Sequence, residues 1–296
     1  MYLLFQEESV LLRQKSRTGK KNGNLKKIKN ILYFICNLIK NIFLYDFNMN
    51  MTPELICSLS SCSLYKEDEN HYSLQYTTGC FDFLRSIAAV IGDENCNLPN
   101  NRKIVFRAQK VQPLEFYLLE CESMSETGGV PMGRGMSYQP CLWFLYNLYN
   151  QNEYLMNEDM SIFCMRIKDI LVINNSIFVF INCKNVANID IHTDTISFTT
   201  PFSRFGFCAP EIMAVSALPA IVDSRCFLYS LAALLVFCIT RVNICELTTE
   251  NTRIVENLGV YSVILPHLKT LVGTKLHWCI LRMLKVVPRK RRFLYL

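Results

Sequence analysis

Glu211 is the residue whose position most demands a chemical account. It sits in Phe207-Cys208-Ala209-Pro210-Glu211-Ile212-Met213, flanked by apolar residues. A carboxylate in such surroundings needs a cation. The chain offers a candidate only near its C-terminus, in Pro288-Arg289-Lys290-Arg291. The thiols and imidazoles point away from metal chemistry. Fourteen cysteines are scattered along the chain, and Cys36, Cys164, Cys183, Cys226, Cys238 and Cys279 lie within apolar runs. No Cys-x-x-Cys pair occurs, and His71, His192, His267 and His277 are not at ligand spacing, so a zinc site is not expected. Reduced, buried thiols are expected instead. There is no Gly-x-Ser-x-Gly nucleophile elbow and no compact Cys–His arrangement. Cys208, beside Ala209-Pro210, reads as packed core rather than as a nucleophile. Gly133, Gly135 and Tyr138 half-match a Gly-x-Gly-x-x-Gly phosphate cradle. The third glycine is missing and no strand leads into it, so a flexible loop is expected. Trp143, Trp278 and the other aromatic residues read as core rather than as a base-stacking platform.

The bulk composition bounds what these residues belong to. With 296 residues, 51% of them hydrophobic, the chain can bury a sizeable core. Charged residues make up only 19%, which excludes general disorder. The net charge of +6 is local: a run from Arg13 to Lys29 contains no acid, and a second basic cluster is Arg289–Arg292. The remainder is mildly acidic, so a nucleic-acid-binding surface is not implied.

Residues 1–50 read as a basic and amphipathic extension. Its segment Ile31–Phe47 is too short and too polar to span a membrane, because Asn37, Lys40, Asn41 and Asp46 interrupt it. The commoner reading of such a charge run is a solvated tail, and the alternative is a weak contact of residues 13–47 with an anionic membrane surface. The globular part begins at residue 51. Thr52-Pro53-Glu54 predicts a helix start, Lys66–Asn70 a charged turn and His71–Tyr76 a strand. Apolar spacing predicts a helix over Phe81–Ile91. Leu98–Asn101 reads as a turn. Two strands are expected over Lys103–Ala108 and Leu114–Glu120, as a hairpin around Gln112-Pro113. Residues 122–135 read as a loop and give the best boundary, dividing 51–121 from 122–296. Beyond it come a helix over Cys141–Met156 and short strands within Met160–Ile173 and Ser176–Cys183, around the turn Asn174-Asn175. Residues 184–201 are polar and read as a loop. The longest apolar run, Cys226–Thr240, reads as one buried helix, and a last helix is expected over Lys275–Lys285.

This order of elements resembles the protein-kinase fold over roughly residues 70–296. Ala209-Pro210-Glu211 matches the family's Ala-Pro-Glu motif. Tyr229-Ser230-Leu231-Ala232 resembles the start of its large C-lobe helix, usually Trp-Ser-x-Gly. Leu284–Arg291 resembles its last motif, Leu-x-x-Asp-Pro-x-x-Arg, with Val287 in place of the aspartate. Lys168–Ile173 resembles the end of the catalytic loop, and Phe116–Cys121 resembles the fifth strand and hinge. The character of the chain, rich in Asn, Ile, Lys, Phe and Tyr, is similar to divergent kinase-like proteins of large DNA viruses. The resemblance implies an α+β, bilobal fold with a degenerate β-rich N-lobe (51–121) and a larger helical C-lobe (122–296). It also implies that Glu211 pairs with Arg291, and that Glu120 and Cys121 lie at the nucleotide hinge.

The chemistry that the resemblance implies is incomplete. Phosphoryl transfer needs a positioning carboxylate, metal ligands and a phosphate-binding lysine. The catalytic aspartate falls on Cys164, the neighbouring cation on Arg166, and the loop asparagine on Asp169. The Asp-Phe-Gly motif becomes Asn182-Cys183-Lys184, and Asn182 lacks the charge that a hard cation prefers. The aspartate of the large C-lobe helix falls on Phe227, with Asp223 as a spatial substitute or a helix-start residue. Lys66, Lys103 and Arg107 are candidates for the phosphate-binding cation, although each reads more readily as a surface residue. The expectation is therefore a pseudokinase in the cytoplasm (the host's, if viral), without cofactor, metal or nucleic acid, that binds a protein partner. The alternative is a divergent Ser/Thr-type kinase using ATP and Mg²⁺ around Asp169.

Overall fold

A computed structural model of the chain describes residues 53–59, 61–125, 135–250 and 260–295. The extension over residues 1–50, including the segment 13–47 weighed between a solvated tail and a membrane-surface contact, lies outside the described residues. Pro53–Leu296 is one compact unit, and its architecture is mixed α+β with several small antiparallel sheets.

The first sheet has five strands: β1 (Glu54–Ser58), β2 (Cys62–Lys66), β3 (His71–Tyr76), β4 (Cys96–Asn100) and β5 (Lys103–Arg107). Their order is β1-β2-β3-β5-β4, with every neighbour antiparallel. Period-2 alternation buries Leu64, Tyr72, Leu74, Ile104 and Phe106. Pro53-Glu54 therefore does not start a helix, because this segment's backbone finds partners in β2. Cys96–Asn100 is likewise a strand rather than a turn, paired with β5. Helix α1 (Phe81–Ile91) links β3 to β4 and buries Phe83, Leu84, Ile87, Ala88 and Ile91. It stops at Gly92, whose φ of 103° lets its N–H bond back to the Ala88 carbonyl.

Short β6 (Val111–Pro113) runs into α2 (Leu114–Ser125). The strand expected over Leu114–Glu120 is thus a helix. Leu114, Tyr117 and Leu118 are buried while Phe116 and Leu119 are exposed, which is the i, i+3, i+4 pattern of one helix face. The boundary expected after Cys121 falls inside this helix.

Helix α3 (Tyr138–Asn157) is the post to which the following strands are fastened. These are β7 (Met160–Ile162), β8 (Cys164–Met165), β9 (Ile170–Ile173) and β10 (Ile177–Phe180). Gln151 accepts from the Phe180 N–H at 2.8 Å and donates to the Phe180 carbonyl at 2.8 Å. Asn152 Oδ1 accepts from the Ile162 N–H at 2.9 Å, and Asn147 Oδ1 from the Phe178 N–H at 3.0 Å. Buried amides such as Gln151 and Asn152 are tolerated because the backbone satisfies them. Strands β9 and β10 form a hairpin, with Asn174 and Asn175 both at positive φ, and β9 also pairs with β6.

Residues 184–201 are not a loop throughout. They contain β11 (Val186–Asp190) and β12 (Thr195–Phe198), which join β14 (Ala220–Asp223) and β7 in a sheet ordered β14-β12-β11-β7. Ile162, Ile189, Ile196, Phe198 and Val222 are its buried apolar residues. Strand β13 (Phe207–Cys208) pairs with β8 and leads into the short helix α4 (Pro210–Met213).

Helix α5 (Cys226–Thr240) is buried on nearly every side, as its uniformly apolar sequence requires. The backbone at Gly135 lies against it: a Cβ there would stand 2.0 Å from the Cys238 carbonyl oxygen, and the next N–H, of Met136, donates to that oxygen. Gly135 is thus a close-packing glycine; Gly133 lies outside the described residues. Arg241 follows α5 and binds Glu122 Oε1 at 2.6 Å and the Leu118 carbonyl at 2.7 Å, tying α5 to α2. Helices α6 (Ile244–Glu250), α7 (Val260–Ile264) and α8 (Lys275–Met283) complete the described chain. No helix among the described residues is long and apolar enough to cross a membrane. Trp143 and Trp278 are both partly exposed rather than core residues.

Candidate functional site

Arg291 is fully buried, at 0% exposure, and its five N–H donors each have an acceptor. Nη1 donates to Glu211 Oε1 and to the Arg225 carbonyl, while Nη2 donates to Glu211 Oε2 at 2.8 Å and to the Val286 carbonyl at 3.0 Å. Nε donates to the Lys285 carbonyl at 2.7 Å. The guanidinium carbon also lies 5.1 Å from the centroid of the Tyr229 ring. Glu211, in α4, and Arg291, after the turn Pro288–Lys290, thereby join segments 80 residues apart in a two-pronged ion pair. Tyr229 closes this pair on its α5 side.

A second ion pair occupies the place where catalytic residues are expected. Asp169 ends the turn Ile167–Asp169, and its side chain is 0% exposed. Arg166 grips it with both prongs, Nε to Oδ2 at 2.8 Å and Nη2 to Oδ1 at 2.9 Å. The Asp169 carbonyl accepts from the Ile181 N–H at 2.8 Å, so this turn also fixes the exit of β10. Asn182 is buried, and its Oδ1 accepts from the Lys184 N–H, capping the turn Cys183–Asn185. Cys164 lies in β8 opposite Cys208 in β13, with their Cα atoms 5.0 Å apart, and the two are disulfide-bonded. The expectation of reduced thiols fails for this pair, because the strand register places the two sulfurs side by side.

The residues expected at a hinge are elsewhere. Glu120 and Cys121 lie on α2, not on a strand. Glu120 binds Gln112 Nε2 at 3.0 Å and Lys110 Nζ at 2.7 Å, which together hold its carboxyl below the usual carboxylate range. Cys121 is partly buried, and burial raises its thiol pKa. Lys103 pairs with Glu67 at 2.7 Å, Lys66 ends β2, and Arg107 is exposed at the end of β5. Asp223 Oδ1 accepts from the Arg225 N–H just before α5, and Phe227 is buried in that helix.

One convergence has no warning in the sequence. The Ile181 carbonyl, just after β10, accepts from Ser61 Oγ at 2.9 Å and from the Tyr76 hydroxyl at 3.0 Å. Cys62 Sγ also reaches it, at 3.9 Å. The five-stranded sheet is thereby fastened to the segment holding Asn182. Tyr76 is buried, and burial holds its hydroxyl protonated well above the ordinary tyrosine range. Only its position at the end of an alternating strand marks it as inward-facing. No group of three His, Cys, Asp or Glu side chains that could hold a metal ion exists among the described residues.

No protein-family model matches this chain, and no curated protein matches it.

Proposed function

We propose that this chain is a protein-kinase-like protein that has lost phosphoryl transfer and serves as a protein-binding or regulatory module. The observation that carries this reading is the state of Asp169. It is the one carboxylate left at the expected catalytic positions, and it is buried in a two-pronged grip by Arg166. A divalent cation would have to displace that guanidinium to reach it, and no group of three His, Cys, Asp or Glu side chains that could hold a metal ion exists among the described residues.

Other features support the same reading. In protein kinases the phosphate-binding lysine stands on the third strand and pairs with a glutamate of the following helix. Here β3 reads His71-Tyr72-Ser73-Leu74-Gln75-Tyr76, without a lysine, and α1 contains no glutamate. Tyr76 instead bonds the backbone just before Asn182. The kinase-like reading of the second half draws on the nearly all-buried α5 and the pairing of Glu211 with Arg291, within one compact unit over residues 53–296. With the chemistry gone, function rests on surface. Exposed Phe116 and Leu119 on α2 and Tyr146 on α3 are apolar side chains of the kind that protein partners cover.

The test is phosphate transfer by the full chain, with γ-labelled ATP and either Mg²⁺ or Mn²⁺, onto itself and onto generic protein substrates. No label above background is expected. Robust labelling that disappears in Asp169→Asn would overturn the proposal and install the divergent-kinase alternative.

A further inference from the structure

The last part of the chain carries charge of one sign. From Asn257 to Leu296 there is no Asp or Glu. Helix α8 buries Leu276, His277, Cys279, Ile280 and Met283, which leaves Lys275, Trp278 and Arg282 exposed at i, i+3 and i+7, on one stripe. Lys285, Val286 and Val287 follow directly and are exposed, as are Arg289 and Lys290 in the turn after them. This segment is tied to the buried Arg291, whose Nε and Nη2 donate to the carbonyls of Lys285 and Val286 at 2.7 Å and 3.0 Å. The backbone is thus held while the side chains stand in solvent. Among the described residues, none of Lys275, Arg282, Lys285, Arg289 and Lys290 forms an ion pair.

Cations alone would mark only a solvated face. The side chains between them decide the partner: Trp278, Val286 and Val287 are 54%, 46% and 49% exposed. We propose that this face, the outer stripe of α8 with the segment Lys285–Lys290, docks on an anionic lipid bilayer surface. The cations attract the negative headgroups, and each lysine or arginine close to such a surface strengthens attachment about fivefold. Tryptophan favours the headgroup level, where one part of the indole is wet and the rest is not. The two valines reach the acyl boundary and leave water there. Arg291 holds their backbone beforehand, so docking orders little that was free. A nucleic acid would use the same cations, but its phosphates give neighbouring valines nothing apolar to bury against. A protein interface concentrates apolar side chains in a core depleted of charge, whereas here cations and apolar residues alternate. The proposal is independent of whether phosphoryl transfer is lost.

The experiment uses the full chain with phosphatidylcholine vesicles that contain either no phosphatidylserine or about 30% of it. Sedimentation with the anionic vesicles alone is expected, weakening as salt rises. The run Arg13–Lys29 is basic as well, so local readouts separate the two segments. The chain has two tryptophans, and Trp143→Phe leaves Trp278 as the sole reporter. Its emission is expected to shift to the blue on anionic vesicles and to be quenched by lipids brominated on their acyl chains. In the unsubstituted chain, acetylation of Lys285 and Lys290, mapped by mass, is expected to slow when the vesicles are added, and this needs no variant to fold. Lys285→Glu/Lys290→Glu is expected to weaken vesicle binding at least about tenfold. Three results would overturn the proposal. One is no sedimentation with anionic vesicles. Another is sedimentation that leaves Trp278 emission and the acetylation of both lysines unchanged. The last is stronger protection of these lysines by duplex DNA than by vesicles.

Discussion

Replacing Arg291 with alanine is expected to lower the unfolding free energy by about 3–5 kcal/mol. The size follows from what remains. Glu211 keeps its carboxylate in a largely buried place without its guanidinium, and the carbonyls of Arg225, Lys285 and Val286 lose a donor. Lysine is a poor substitute, because a point charge with three donors cannot reproduce a planar fork that serves five acceptors. Arg291→Lys should therefore lose a large part of the same stability. Urea denaturation followed by tryptophan fluorescence checks both variants. An unchanged midpoint for Arg291→Ala would mean that the pair does not hold the C-terminal segment to α4.

Arg166→Ala is expected to cost about 2–4 kcal/mol, somewhat less than Arg291→Ala. The Asp169 carboxylate is fully buried, but Arg166 is 22% exposed, so water can enter the space it vacates. Neutralising the stranded carboxylate in the same chain, as Arg166→Ala/Asp169→Asn, is expected to recover part of the loss. A non-additive cycle of this kind is the signature of direct coupling. Additive losses in the four-member urea series would contradict a specific Arg166–Asp169 pair.

The two pairs differ in how much of them the sequence reveals. Glu211 is conspicuous because apolar residues flank it, and the kinase-like motifs nominate Arg291 as its partner. Arg166 and Asp169 are visible as charges in an apolar stretch, but their mutual grip depends on a turn that the residue types do not specify. Helices α1 and α5 are legible because their apolar spacing or continuity permits one reading. Asn174-Asn175 is legible because asparagine tolerates the positive φ that a tight hairpin needs. Helix α2 is hidden by Phe116-Tyr117-Leu118-Leu119, residue types common in strands, and only burial separates Tyr117 and Leu118 from their exposed neighbours. Strands β1, β11 and β12 are polar or exposed on one side, so what makes them strands is a partner elsewhere in the chain. The same holds for Cys164 with Cys208, and for the three segments that meet at the Ile181 carbonyl. Register across tens of residues is a tertiary property, and a local pattern carries little of it.

The phosphate-binding apparatus is where the account makes its strongest demand. Asp169 is gripped by Arg166, and neither β3 nor α1 supplies the lysine–glutamate pair, so under the proposed function no binding of ATP with magnesium is expected. Thermal unfolding of the full chain, with and without ATP and Mg²⁺, measures this directly. The same Tm in buffer, with ATP alone and with Mg-ATP is the predicted result. A rise in Tm that requires the metal, and that Asp169→Asn removes, would contradict it.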